Sequence, residues 1–278
     1  MRGVYTAGVL DYFMDEGLDF PLVSTSSSGA VIASSYVANQ RDRNYRILDA
    51  IVRNREFISW KRLLQGKALF DMDFIFDEVP NRVVPLDFQA FSESDTKLVI
   101  ATTELRTGKP VYFDAYANKD ELLTVIRASS SLPVFASPVA YREMVLLDGG
   151  VSDPIPVQPA LDHGFQKIVV VLTRNRGYVK KPTRLNWLYR RVFKDYPEMQ
   201  RTLNARHLVY NRTMQKIREM EERNQVFIIQ PKQPLTVTRF EKRTGMLRQL
   251  YRQAYREAES VKDELLRFIE QPPAETWG

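Results

Sequence analysis

A cluster of serines follows a short apolar segment near the beginning of the chain and could supply a nucleophile. Residues 20–26 predict a strand, and the small apolar residues of 28–40 predict a buried helix. A serine on a sharp strand-to-helix turn has its Oγ held away from the sheet, beside the N–H groups and the partial positive charge of the helix N-terminus. The pattern predicts a nucleophile elbow, whose chemistry would be attack on an acyl carbonyl group.

Ser27 is the predicted nucleophile within this cluster. The elbow needs a small residue two positions after the nucleophile, and Gly29 occupies that position. Ser26 and Ser28 remain alternatives. Thr25 stands where the G-x-S-x-G pattern has its first glycine, so we expect its side chain to crowd the elbow and to alter activity. A serine that only caps the following helix is the other interpretation of the same residues.

A carboxylate at the end of a second apolar segment could serve as the general base. Residues 144–147 predict a strand that ends at Asp148, and Gly149 and Gly150 allow a tight turn there. In open α/β sheets, functional groups collect at such C-terminal strand ends. Asp148 could accept the proton of a serine hydroxyl directly. A simple Asp-Gly turn is the alternative.

The content of other reactive residues excludes several kinds of site. The chain has no Cys, which excludes disulfides, thiolate zinc sites and a Cys nucleophile. It has two His, so we do not expect a metal site built from several His ligands. His163 could complete the Ser-Asp-His order of α/β-hydrolases. However, it ends a predicted helix, where a His interacts favourably with the helix dipole without any catalytic role.

Predicted strands and helices alternate along the chain and must position these residues. The alternation predicts an α/β protein, a three-layer α/β/α sandwich with a mostly parallel sheet. Hydrophobic residues make up 44% and charged residues 27% of the 278 residues, which excludes a disordered chain. We expect residues 1–278 to form a single domain that includes a basic helical region at 174–223 and a C-terminal helix at 239–270. No apolar run is long enough to span a bilayer.

Taken together, these segments resemble the patatin-like phospholipases, in their bacterial branch. That family combines a glycine-rich loop ending in Arg-Gly, a G-x-S-x-G elbow and an Asp-Gly-Gly or Asp-Gly-Ala turn. Residues 2–11 are similar to the end of the loop and its helix, and residues 128–133 and 148–156 to the family's intervening segments. Residues 235–241 are similar to a segment of the bacterial branch. The resemblance extends from residue 2 to about residue 270.

The resemblance implies a Ser-Asp dyad that hydrolyses acyl esters of lipids without histidine, cofactor or metal. Ser27 matches the nucleophile and Asp148 the catalytic aspartate. The substrate would be a phospholipid or another lipid ester. The residues that would support the oxyanion loop, the elbow and the turn are Arg2, Gly3, Ser28, Gly29, Gly149 and Gly150.

The beginning of the sequence departs from the family pattern. The three loop glycines and the central strand that precedes them have no counterpart, and Met1 stands directly before Arg2. Losing one oxyanion donor typically costs ~10²–10³ in rate. We expect a start upstream of Met1 to restore the loop. The alternative is a catalytically impaired member of the family that binds lipid or membrane.

The basic region indicates a possible partner. Residues 174–223 carry 14 Lys and Arg against 5 Asp and Glu, in a chain of net charge +6. Trp187, Tyr189, Phe193 and Tyr196 lie among these charges, a composition that suits an anionic membrane surface. A solvated basic helix face is the alternative. No nucleic-acid partner is expected, because no nucleic-acid motif is present. Because the chain has no Cys, we expect a cytoplasmic protein, and the basic region predicts a peripheral contact with the inner face of the membrane.

Overall fold

The computed structural model describes residues 1–54, 58–59, 62, 65, 68–238, 241 and 243–271. In chain order the strands are β1 (Leu22–Ser26), β2 (Lys97–Glu104), β3 (Pro110–Phe113), β4 (Val139–Tyr141), β5 (Met144–Asp148), β6 (Ile168–Val171) and β7 (Val226–Ile229). The α-helices are α1 (Val4–Asp15), α2 (Ser28–Val37), α3 (Arg43–Arg53), α4 (Phe88–Ser92), α5 (Lys119–Ser129), α6 (Gln158–Asp162), α7 (Asn186–Val192), α8 (Pro197–Glu222), α9 (Thr244–Glu259) and α10 (Lys262–Glu270). A π-helix spans Phe74–Val83, and a 3-10 turn spans Gly149–Val151.

The chain divides into two compact units. The first unit comprises residues 1–19, 157–179 and 211–278. The second unit comprises residues 20–156 and 180–210. The single domain expected from the sequence stays a prediction.

The second unit contains a five-stranded sheet in which β2 pairs with three other strands. β1 lies parallel to residues 97–101 of β2, and β5 lies antiparallel to residues 102–104. β3 pairs with residues 100–103 and therefore takes the opposite edge of β2. Since β1 and β5 share one edge and run in opposite directions, their C-terminal ends meet at Ala101 and Thr102.

Helices cover this sheet on both faces. α2 contacts β1 and β2, while α5 contacts β2, β4 and β5. Successive strand residues face opposite sides of a sheet, and both Leu146 and Leu147 are fully buried. Leu147 packs in an apolar cluster with Met199 and Leu203 of α8. The α/β class and the three-layer arrangement of helices about a sheet are thus confirmed.

The direction of the strands corrects the prediction of a mostly parallel sheet. Within the five-stranded sheet one pairing is parallel and three are antiparallel. β4 and β5 are joined by the two residues Arg142 and Glu143, both with positive φ (46° and 62°). Such a short connection joins only antiparallel strands. The sheet is therefore mixed.

The first unit is built around α1 and a parallel pair of strands. α1 packs along α9, and a Cβ on Gly8 would lie 2.4 Å from the Tyr251 carbonyl oxygen. The hydroxyl group of Tyr251 donates to the carboxylate of the buried Asp11. β6 and β7 pair in parallel, with Ile168 opposite Val226. The close approach of the two helices depends on the missing side chain at position 8.

Two expected helices are interrupted. The basic region forms α7 and α8, because Pro197 starts a new helix and disfavours helical backbone in the residue before it. The expected helix at 239–270 is α9 followed by α10, and residues 239, 240 and 242 lie outside the described residues. α9 ends where Ser260 Oγ donates to the Glu257 carbonyl group. None of the described helices is both long and apolar enough to cross a bilayer.

Candidate active site

The strand-to-helix turn holds Ser27 in an uncommon backbone conformation. Ser27 lies between β1 and α2 with φ 56° and ψ −132°, a region that non-glycine residues adopt at a cost of ~1–3 kcal/mol. Its N–H donates to Ser129 Oγ at 2.8 Å, and Ser129 Oγ donates to the Ala101 carbonyl oxygen at 2.7 Å. The end of α5 and the middle of β2 therefore hold the backbone of Ser27 through the Ser129 hydroxyl group. A strained strand-to-helix turn of this kind is the backbone geometry that a nucleophile elbow requires.

The side chain of Ser27 meets Asp148 where β1 and β5 end. Ser27 Oγ donates to Asp148 Oδ2 at 2.6 Å. Asp148 is fully buried, and its other oxygen, Oδ1, accepts the Gly150 N–H at 2.8 Å. An ionised carboxylate only accepts hydrogen bonds, and both of its oxygens have donors here. The pair can therefore transfer the hydroxyl proton of Ser27 directly to Asp148.

Gly149 and Gly150, the two residues after Asp148, are glycines for different structural reasons. A Cβ on Gly149 would lie 2.0 Å from the Ala101 carbonyl oxygen, so the backbone of β2 leaves no room for a side chain. A Cβ on Gly150 would lie 3.1 Å from Asp148 Oδ1, a tight but adjustable contact. Gly149 allows the chain to approach β2, and Gly150 leaves space beside the carboxylate.

The side chain of Thr25 occupies the space that a side chain at position 29 would need. A Cβ on Gly29 would lie 2.2 Å from Thr25 Oγ1. The Thr25 side chain is accommodated because residue 29 has no side chain. Ser28 is the exposed first residue of α2, and Ser26 is the last residue of β1. Neither has a described hydrogen bond of its side chain to Asp148.

A second pair of hydroxyl groups supports the turn and was not anticipated from the sequence. Thr103 Oγ1 donates to the Asp148 carbonyl oxygen at 2.8 Å and lies 2.7 Å from Ser152 Oγ. The Ser152 N–H donates to Thr103 Oγ1 at 3.2 Å. Ser152 lies four residues after Asp148, but nothing in the sequence indicates that Thr103 is its partner. These bonds fasten the 3-10 turn to β2.

The other candidate residues lie elsewhere. Nδ1 of His163 is 2.8 Å from the Pro159 carbonyl oxygen, within its own helix segment, which does not support a role in a triad. Arg2 and Gly3 belong to the first unit, where Gly3 caps α1. Their part in an oxyanion loop stays a prediction. No group of three His, Asp or Glu side chains among the described residues could hold a metal ion.

The family is decided by a comparison with known families. Residues 1–161, more than half of the chain, match the family model described as patatin-like phospholipase. The chain belongs to the patatin-like phospholipase family. Both Ser27 and Asp148 lie within the matched segment. Residues 196–275 match a second family model, described as a domain of unknown function (DUF6363).

Several curated proteins are similar to part of this chain. The chain is 33% identical over 177 residues to the uncharacterized protein YjjU of Escherichia coli (strain K12), over 62% of this chain and 49% of YjjU. It is 25% identical over 158 residues to the uncharacterized NTE family protein Rv1063c of Mycobacterium tuberculosis (strain H37Rv), over 57% and 42% of the two chains. The chain spans about half the length of the curated relatives it matches.

A solved structure is also similar to this chain. It is that of VipD from Legionella pneumophila, with a TM-score of 0.41 and 12% sequence identity. The match covers 93% of this chain and 65% of VipD.

Proposed function

We propose that this patatin-like protein is a serine hydrolase of lipid acyl esters, with Ser27 as nucleophile and Asp148 as general base. The observation that carries the proposal is the 2.6 Å hydrogen bond from Ser27 Oγ, at a strained elbow, to a fully buried carboxylate. A geometry in which the nucleophile already contacts its base is what acyl transfer requires. Lipid esters are the proposed substrates because the family is one of phospholipases.

The reaction proceeds in two steps through an acyl-enzyme. Ser27 Oγ attacks the ester carbonyl carbon as its proton passes to Asp148 Oδ2. The N–H groups at the start of α2 face the developing oxyanion, and the helix dipole favours its negative charge. Collapse of this intermediate breaks the ester C–O bond, and the leaving alkoxide takes the proton from Asp148. Water then attacks the acyl group as Asp148 accepts its proton, and release of the fatty acid returns that proton to Ser27.

The test is covalent labelling of the full-length protein with a fluorophosphonate, read by intact mass. We expect one adduct in the wild-type protein and none in Ser27→Ala. Ser26→Ala and Ser28→Ala are matched controls, since they flank the nucleophile and should keep the adduct.

Two results would contradict the proposal. An adduct that survives in Ser27→Ala but disappears in Ser26→Ala or Ser28→Ala would move the nucleophile. An unlabelled wild-type protein with a cooperative unfolding transition would exclude an activated serine.

A labelled enzyme would next be tested against phospholipid, lysophospholipid and neutral ester vesicles, with mass spectrometry of the released fatty acid.

We further propose that the substrate is met at an anionic membrane surface. α7 and the residues after it form an exposed surface, here called the α7 surface, consisting of Trp187, Arg190, Arg191, Val192 and Lys194. Arg190 and Arg191 are three and four positions after Trp187, so they share one side of the helix. Trp187 is 66% exposed, which is unusual for so large an apolar side chain.

The α7 surface lies on a helix that packs beside the proposed site. Tyr189 and Phe193 pack in the same apolar cluster as Leu147 and Val151, which flank Asp148 and the two glycines. Exposed basic and aromatic side chains on such a helix suit the boundary between headgroups and acyl chains. This arrangement supports a peripheral location on the inner face of the cytoplasmic membrane.

Trp187 provides its own probe of membrane contact. The chain has three Trp, so Trp60→Phe with Trp277→Phe leaves Trp187 as the single fluorophore. We expect a blue shift and quenching by brominated lipid with phosphatidylglycerol vesicles, and no change with phosphatidylcholine vesicles. An emission that stays the same with both vesicles would contradict membrane contact by this surface.

A further inference from the structure

One cation of α8 contacts the turn that carries Asp148. Arg206 Nε donates to the Gly150 carbonyl oxygen at 2.5 Å, and its Nη2 lies 3.3 Å from the position a Cβ on Gly150 would take. Arg206 lies outside the segment that matches the patatin-like model and inside the segment that matches the domain of unknown function. The second segment therefore reaches the proposed site of the first.

The contact holds a residue whose backbone N–H binds the Asp148 carboxylate. Gly150 donates its N–H to Asp148 Oδ1, while Arg206 binds the carbonyl group of the same residue. Because Oδ1 is held by Gly150, the other oxygen, Oδ2, faces Ser27 Oγ. Glycine has no side chain to limit its backbone rotation, so the bond from Arg206 adds to the contacts that keep the Gly150 peptide groups in place.

Packing along α8 fixes the position of Arg206. Met199 and Leu203 of the same helix are buried against Leu147 and Val151, on either side of the turn. Thr202 Oγ1 donates to the Gly108 carbonyl oxygen at 2.9 Å. Arg206 is three and four positions after Leu203 and Thr202, so it lies on the face of α8 that contacts the second unit's sheet.

The positive charge of Arg206 also favours the ionised form of the nearby Asp148 carboxylate. A fully buried carboxylate is costly to keep ionised without a compensating cation or hydrogen bonds. The other acidic side chains near the turn have their own donors, Tyr112 for Asp153 and the Thr107 N–H for Glu104. A Cβ on Gly150 would lie 3.1 Å from Asp148 Oδ1 and 3.3 Å from Arg206 Nη2, so the guanidinium group and the carboxylate border the same small space.

We propose that Arg206 is a positioning residue, which holds the Gly149-Gly150 turn so that Asp148 Oδ2 faces Ser27. The segment of unknown function thereby completes the hydrolase site. The expected effect of Arg206 on the reaction rate rests on the proposed function. The expected effect on the Gly149-Gly150 turn rests on the hydrogen bond to Gly150 alone. The two effects can be measured separately.

The kinetic test uses a soluble short-chain ester, so that membrane binding does not contribute. We expect Arg206→Met to lower kcat by about tenfold or more with KM within about twofold, since a charge-assisted hydrogen bond is lost without a substrate contact. Arg206→Lys keeps the charge and should retain an intermediate kcat. In Arg206→Ala, added ethylguanidine should restore part of the lost rate. Arg201→Met is the matched control, because Arg201 is an exposed residue of the same helix paired with Glu198.

The structural test is hydrogen–deuterium exchange of the peptide that contains Gly150. We expect faster exchange there in Arg206→Met than in wild-type or Arg201→Met protein. Exchange that is unchanged, or a loss of rate that appears in KM alone, would overturn the positioning role. If the wild-type protein is not labelled by fluorophosphonate while exchange at Gly150 still depends on Arg206, the proposed function fails and the contact stands.

Discussion

At the scale of single residues, the site is organised around the backbone of Ser27. Its positive φ places Oγ above the end of β1 and leaves α2 to begin directly behind it. The strain is maintained by the hydrogen bond to Ser129 Oγ and by the start of α2. Strain of this kind is independent of the hydroxyl group, so it can be measured in variants that lack Ser27 Oγ.

We therefore expect Ser27→Gly to be more stable than Ser27→Ala by about 1 kcal/mol, since glycine adopts this conformation without a Cβ clash. Urea denaturation of the two variants measures the difference. Position 28 is the control, because Ser28 is helical and Ser28→Gly should be less stable than Ser28→Ala by up to about 1 kcal/mol. The same sign at both positions would contradict the strain assigned to Ser27.

Asp153, five residues after Asp148, predicts a pH dependence of stability. Burial raises the pKa of Asp153 above its ordinary value of 3.8, although hydrogen bonds from Tyr112 and the Ile155 N–H lower it in part. The folded state thus holds this proton more tightly than the unfolded state. Stability is lost as the pH rises from about 3.8 through the raised pKa.

Asp153→Asn removes that loss while keeping an acceptor for Tyr112. We expect the variant to be more stable than wild type at pH 7, with the gain shrinking towards pH 4. Urea unfolding between pH 4 and 8 gives the comparison, with the exposed Asp95→Asn as control. A gain that does not vary with pH would show that the charge of Asp153 is not its cause.

At the scale of elements, Ser27 and Asp148 come together because two strands end at one place on β2. Ser26 pairs with Ala101 and Asp148 pairs with Thr102. Ser27 and Asp148, which are 121 positions apart in the chain, therefore become neighbours. The sequence predicted each strand end, since a serine cluster with glycine and an Asp-Gly-Gly turn have local signals. It did not predict that β5 runs antiparallel, because an apolar run does not reveal its direction.

Other features carried no local signal. The π-helix at Phe74–Val83 contains Pro80, a residue that usually ends helices, so no helix was predicted there. Arg206 is one of 14 basic residues between 174 and 223, and only the fold brings it to Gly150. A contact between distant segments with no motif cannot be predicted from either segment.

Helix packing in the first unit depends on a glycine. A Cβ on Gly8 would meet the Tyr251 carbonyl oxygen at 2.4 Å and Ala254 Cβ at 2.9 Å. We expect Gly8→Ala to lower stability by about 1–3 kcal/mol, because α1 and α9 must separate. Gly245 in α9 has open space around its Cα, so Gly245→Ala should raise stability by about 0.5–1 kcal/mol. Thermal unfolding distinguishes the two; equal effects would contradict a packing role for Gly8.

At the scale of the whole molecule, the concentration of positive charge lies in the part of the chain that follows the patatin-like segment. The patatin-like segment at 1–161 contains both Ser27 and Asp148, whereas the basic stretch at 174–223 overlaps the segment of unknown function. The basic stretch supplies Arg206 to the proposed site and the α7 surface to the proposed membrane contact. The two roles use different residues, so they can be separated by substitution.

Neutralising the α7 surface should impair the enzyme only on membranes. At about 1 kcal/mol per basic residue near an anionic surface, Arg190→Gln with Arg191→Gln should weaken binding to phosphatidylglycerol vesicles roughly 30-fold. Hydrolysis of lipid in those vesicles should fall in parallel, and hydrolysis of a soluble ester should stay unchanged.

Arg252→Gln with Arg256→Gln on α9 removes the same charge from exposed positions and serves as the control. Because screening weakens such contacts, salt should reduce wild-type vesicle binding far more than that of the α7 variant. Equal losses in both double variants would assign binding to net charge rather than to this surface.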